Sequence, residues 1–180
     1  MSAIAVLSAR YMFSKLSKIY PCLPAESKEP RMHEFILTLL EETFERVKAT
    51  GIKHALVVQR VGKLFLDFGL HAPTVAWPET YGLMLEPTES YSKAELDRFI
   101  DIVEEIRDLV RAHPEVLHTA PHFTPVERID EVNANKNIQL MEWIKELPEV
   151  PQDRISPQEL AKMDVKKISA EILKVHHERM

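Results

Sequence analysis

Cysteine occurs once in 180 residues, at Cys22, so the chain can neither close an internal disulfide nor build a cysteine-based structural zinc site. Glycine is scarce too, four in all, and no Gly-x-Gly is present. That disfavours a phosphate-cradling loop, whose close backbone approach needs residues without a Cβ. Gly62-Lys63 has Val57 where a Walker loop needs glycine, and Leu64 where it needs Ser or Thr. Basic excess is also missing. Lys and Arg number 23 against 28 Asp and Glu, a net charge of −5, which removes the broad electrostatic case for nucleic acid. No apolar run approaches the roughly 18–20 residues that span a bilayer. The first ten residues place no basic stretch ahead of their apolar ones, so no secretory signal is read there. A protein of a reducing compartment, in the cytoplasm and without membrane or nucleic-acid partners, is the expectation.

What is present is an ordinary core-forming composition, 45% hydrophobic and 28% charged, at a length suited to one domain. Residues 3–20 read as an amphipathic helix, with Ile4, Leu7, Tyr11, Met12, Leu16 and Ile19 at helical spacing. Pro21, Pro24 and Pro30 mark a connection, and residues 33–39 have the length and β-rich composition of a strand. Residues 41–50 predict a helix stopped at Gly51, and 53–68 a second one stopped at Gly69. Pro73 and Pro78 hold 70–80 in an extended path, and 81–86 is a second strand ended by Pro87. Ser92-Lys93-Ala94-Glu95 is a capping-box pattern that opens the strongest helix, 92–112. Residues 116–132 read as irregular and 133–137 as a turn, while 141–145 is too short to assign. Ser156-Pro157-Gln158-Glu159 starts one last helix running to about His177. Two or three strands among four or five helices make a small α+β domain, a short antiparallel sheet covered by helices 53–68 and 92–112 on one face.

Local chemistry alone assigns no activity. His118 and His122 are separated by Pro121, which breaks the helix that would align them as metal ligands, so they read as exposed loop histidines. No metal site is expected. His176-His177 reads as solvated helix surface, and Cys22 as a small filler without a histidine beside it in sequence. Glu86 and Glu89 flank a strand-to-helix corner, where carboxylates serve as active-site acids or simply favour the positive end of the next helix.

A longer pattern carries more. Asp67-Phe68-Gly69-Leu70-His71-Ala72-Pro73-Thr74, then Met84-Leu85-Glu86-Pro87-Thr88-Glu89 with Ser92-Lys93 and a helix, closely resembles the C-terminal region of the glycine cleavage system P-protein. That family is the pyridoxal-phosphate-dependent glycine decarboxylase, and the likeness is greatest to subunit 2 of its two-subunit form. Ala5 to Tyr11, His33 to Leu37 and Ala120 to Val132 continue the resemblance in order, from about residue 3 to about 143. It implies the small C-terminal domain of a fold type I pyridoxal-phosphate enzyme over 1–146, with its N-terminal helix at 3–20. Residues 147–180 form a linker and helix without a counterpart.

The departures bear on activity. The family's cofactor lysine follows a histidine in a large, glycine-rich domain, and here no His precedes a Lys. Tyr91 stands where the family usually has Glu. Decarboxylating a glycine imine needs a ring as electron sink and a lysine to exchange the Schiff base. The resemblance therefore implies a C-terminal domain or split component, inactive alone, that completes a cleft with a lysine-bearing large domain or subunit. The lipoyl carrier protein is a further implied partner. His71, Thr74, Glu86 and Thr88 are the candidate cleft residues, with no complete catalytic set and no cofactor-binding residue in this chain. The alternative is a non-catalytic interaction or scaffold domain derived from the same family. Mixed with pyridoxal phosphate and borohydride, the chain is expected to yield no stable pyridoxyl adduct on a specific lysine, as checked by mass spectrometry and visible absorbance.

Overall fold

The computed structural model describes residues 2–23, 32–76, 81–138, 140–141 and 149–180. Helix α1 (Ser2–Leu16) leads into a two-residue strand β1 (Cys22–Leu23), then β2 (Phe35–Thr38) and α2 (Glu41–Ala49). A short 3-10 turn at His54–Leu56 runs into α3 (Val57–Asp67), followed by β3 (Thr74–Val75), β4 (Gly82–Leu85) and α4 (Lys93–Ala112). A second 3-10 turn at Pro114–His118 precedes α5 (Glu131–Lys136), α6 (Pro157–Leu160) and α7 (Val165–Arg179). The proline connection at 24–30, residues 77–80 and 142–145 lie outside the described residues.

The four strands form one antiparallel sheet in the order β1-β2-β4-β3. Strands β2 and β4 pair as expected, Phe35 opposite Leu85 and Thr38 opposite Gly82. Alternation decides the face: Phe35, Leu37, Leu83 and Leu85 are buried, while Ile36 and Met84 are half-exposed on the other side. Leu37 and Leu83 line one small apolar gap together with Val61 and Phe65 of α3 and Val103 and Ile106 of α4, so both expected helices cover that inner face. Helix α1 joins them, with Phe13 edge-on to Phe35 at 5.4 Å and the Tyr11 hydroxyl bonded to Asp97 of α4. Gly82 is required by the sheet, since a Cβ there would stand 2.6 Å from Ile36 Cγ2.

Helix ends follow local chemistry closely. Helix α3 closes in a Schellman motif: Gly69 has φ +76°, its N–H donates to Leu66 O at 3.0 Å, and Leu70 N donates to Phe65 O at 2.9 Å. At α4 both halves of the capping box form, Glu95 N to Ser92 Oγ at 3.3 Å and Ser92 N to Glu95 Oε2 at 2.7 Å.

Four expectations are corrected. Strand β1 interrupts the stretch read as a connection, because two residues suffice once a neighbouring strand supplies the partners, while β3 lies within the path read as extended. Residues 116–132 are not wholly irregular, since 3-10 structure continues to His118. The polar stretch read as a turn at 133–137 is mostly α5, helical because Asp130 accepts from Asn133 N at 2.9 Å. The single terminal helix is two. Arg98 donates to Leu160 O and Met163 O at 2.7 and 3.1 Å, satisfying carbonyls where α6 stops. Asp164 then caps α7 through the N–H groups of Lys166 and Lys167. Leu160, Ile168, Ile172 and Val175 of these helices are buried in the same core as the sheet.

Ser92→Ala removes one acceptor from the α4 cap. It is expected to cost about 1 kcal/mol in chemical denaturation, with an unchanged far-UV spectrum.

Candidate functional site

Helix α3 carries a carboxylate where its pattern calls for a hydrocarbon. Asp67 lies three residues beyond Leu64 on the apolar stripe and is fully buried at 0% exposure. A buried carboxylate costs several kcal/mol unless donors replace its water, and the C-terminal end of a helix is electrostatically its poorer end. Three donors meet it. The backbone N–H groups of His122 and Phe123 reach Oδ1 at 2.5 and 3.0 Å, and His122 Nδ1 reaches Oδ2 at 2.8 Å.

The arrangement continues outward. His122 Nε2 is 2.9 Å from Thr119 Oγ1, which is 2.7 Å from His176 Nδ1 on α7. Both histidines are buried, at 0% and 3% exposure, so the readings of His122 as an exposed loop residue and of His176 as solvated surface are corrected. Each exchanges water for a specific protein partner. His118 is half-buried, with Nε2 3.0 Å from Thr50 O, and His177 is exposed as expected. Arg154 and Arg179 grip the same segment from outside, donating to His122 O at 2.8 and 2.9 Å. Both arginines also pair with Glu127, at 2.6 and 3.3 Å. Cys22 is buried and its thiol is pushed up to about 12 by burial, consistent with a filler and not a nucleophile.

The residues singled out in the sequence lie elsewhere, at one end of the sheet. His71 follows the α3 turn with its ring exposed, and its Nδ1 is 2.9 Å from Ala72 O, a contact that shapes the loop. Thr74 stands exposed on the edge strand β3 opposite Met84, two residues from Glu86. Glu86 is exposed one position beyond the Phe35–Leu85 pair, where its carboxylate gathers within 4.8 Å of His33 and Glu34. Thr88 accepts from Ser90 N at 3.3 Å and so helps turn the chain into α4. A cleft of about 900 Å³ contains none of these four residues. It lies between Gln59, Arg60 and Lys63 of α3 and the side chains of Thr119, Arg128 and Arg179.

Sequence reasoning missed Asp67, His122, Thr119 and His176. Its one available signal was Asp67 itself, a carboxylate between Leu66 and Phe68 on an apolar stripe.

Four antiparallel strands with helices packed on one face define a small α+β domain, with the polar loop and the strand-to-helix corner exposed at one sheet end. The model of the family described as "Glycine dehydrogenase, C-terminal domain" matches residues 1–122, and the chain belongs to that family. Relatives include the probable glycine dehydrogenase (decarboxylating) subunit 2 of Fervidobacterium nodosum, 43% identical over 137 residues, 75% of this chain and 26% of that one. The protein of the same description from Pyrococcus furiosus is 40% identical over 153 residues, 82% of this chain and 28% of that one. The chain thus spans about a quarter of the length of the curated relatives it matches. No helix among the described residues is long and apolar enough to cross a membrane.

Burial holds the His176 imidazole below its ordinary value of 6.5, with His122 acting in the same direction and Glu115 opposing. The unfolded chain therefore takes up this proton first as pH falls. Stability from His176 is complete above about pH 7 and declines through and below 6.5, levelling off once the folded state is protonated. Denaturation midpoints measured from pH 8 to 5 are expected to fall less steeply for His176→Gln than for the wild type.

Proposed function

We propose that this chain is the small C-terminal part of a pyridoxal-phosphate-dependent glycine dehydrogenase (decarboxylating) of the glycine cleavage system. In this reading the domain is of the fold type I kind, and it completes a cleft with a lysine-bearing large domain or subunit. The observation that carries it is placement. His71, Thr74 and the Glu86–Thr88 corner present polar groups to solvent at one end of the sheet, apart from the cleft beside Thr119. Polar groups fixed this way suit a site completed from outside, because the frame is ordered before a partner arrives.

The residues of this chain do not by themselves fit the cofactor. A phosphate cradle needs backbone N–H groups opened by glycine, and all four glycines serve other ends. Gly51 and Gly69 end helices, Gly62 lies near Ala72, and Gly82 makes room for Ile36. No step through the cofactor is assigned to this chain. His71 is suited to donate a hydrogen bond to a carboxylate or to move a proton at the cleft edge, and Thr74 to orient a polar group beside it. Residues 1–146 are the domain that supplies this edge, and 147–180 extend it. The lipoyl carrier protein is a further partner under this reading.

The test is reconstitution with the lysine-bearing region of a subunit 2 relative, followed by glycine–bicarbonate exchange. His71→Ala is expected to leave the stability of the chain within about 1 kcal/mol, since the ring is exposed. Exchange by the complex is expected to fall about tenfold or more. Unchanged exchange would favour the scaffold reading, in which His71 only shapes its loop through Ala72.

A further inference from the structure

The buried carboxylate of Asp67 takes no part in the proposed function, yet it sits at the base of the loop on which that function depends. Asp67 is the last residue of α3, and His71 is reached through the Schellman turn immediately after it. From there the loop runs back along α3, so that a Cβ added to Gly62 would lie 3.6 Å from Ala72 Cβ. The turn is covered by α6: a Cβ at Gly69 would meet Leu160 Cβ and Pro157 O, both at 3.1 Å. The direction of the His71 loop is therefore fixed by where α3 ends, and Asp67 ties that end to residues 122 and 123.

We propose that Asp67 is a positioning residue for the His71 loop, completed from the C-terminal helix through a hydrogen-bonded chain running Asp67, His122, Thr119, His176. The proposal rests on the functional reading above only for its catalytic consequence. The hydrogens in this chain are consistent throughout. Asp67 accepts Nδ1–H of His122, so the neutral ring turns its Nε2 lone pair to Thr119. Thr119 donates its hydroxyl hydrogen there and accepts Nδ1–H of His176. Arg179 supports it from the same helix, donating to Pro121 O and His122 O at 3.3 and 2.9 Å. The His176 and Arg179 positions fall beyond the 1–122 span of the family model, so the tail gains a function in holding the family's own loop.

Asp67→Asn separates positioning from bulk. The amide oxygen still accepts from the two backbone N–H groups, but it carries no charge, so the bonds that tie the end of α3 to residues 122 and 123 lose their charge assistance. In the full chain, the amides of Leu70 and Ala76, which donate to Phe65 O and Gly82 O, report loop order. Their hydrogen exchange is expected to quicken about tenfold in Asp67→Asn while the amides of α4 keep wild-type rates. In the reconstituted complex, kcat for glycine exchange is expected to fall about tenfold with KM unchanged. Thr119→Val cuts the chain but spares the carboxylate, and is expected to quicken the same two amides about threefold. It decides the matter should Asp67→Asn fail to fold. His177→Ala, on the exposed neighbour, is expected to change nothing. Wild-type exchange at Leu70 and Ala76 in the folded variants would overturn the proposal, as would an equal quickening in α4, which marks general destabilisation. If the wild-type complex shows no glycine exchange, the functional reading fails while the amide rates still decide the positioning.

Discussion

A carboxylate taken out of water at the wrong end of a helix is the constraint from which much of this structure follows. Asp67 is tolerable in the core only because two backbone N–H groups and an imidazole converge on it. Those donors belong to consecutive residues, His122 and Phe123, so the chain beyond α4 must return to the end of α3. Once it has returned, its own carbonyls point outward and need donors, which Arg154 and Arg179 of the C-terminal segment provide. One polar group buried in α3 thus recruits residues as far as Arg179, in the last helix of the chain.

The same arrangement separates two regions of the surface. The cationic cleft beside Thr119 is large but has Glu127 and Asp130 in its wall, each already bonded to a neighbour. The sheet end with His71, Thr74 and Glu86 takes no part in lining that cleft, yet it carries the strings that resemble the glycine dehydrogenase family. Volume marks a site in a protein that binds by itself. In a chain that matches about a quarter of its relatives' length, exposed polar groups on a sheet edge are the more informative feature.

Much of the frame was legible because it is written locally. A capping box, two glycine stops and one alternating strand need only neighbours in sequence, and α4, α2, α3 and β2 appear where those signals place them. Strands β1 and β3 were not legible, since two residues have no period and their pairing comes from distant partners. The split between α6 and α7 depends on Arg98, 62 residues before Leu160. At the candidate site, His71, Thr74, Glu86 and Thr88 were found through family strings, and their exposure could not be read from those. The Asp67–His122 pair escaped because its members are 55 residues apart and the histidine sits among prolines, which read as loop.

Gly82 has a consequence for how the sheet end is presented. With Ile36 Cγ2 filling the space a side chain would need, Gly82 is the one residue of β4 that fits opposite Thr38. A slip of one position would turn Leu83 and Leu85 away from the core, and a slip of two would bring Met84 into the space only glycine can yield. Misregistered pairing is thus blocked by bulk as well as by polarity. Glu34 and Glu86 leave the sheet side by side in one register, so their spacing is a fixed gauge of the strand pair.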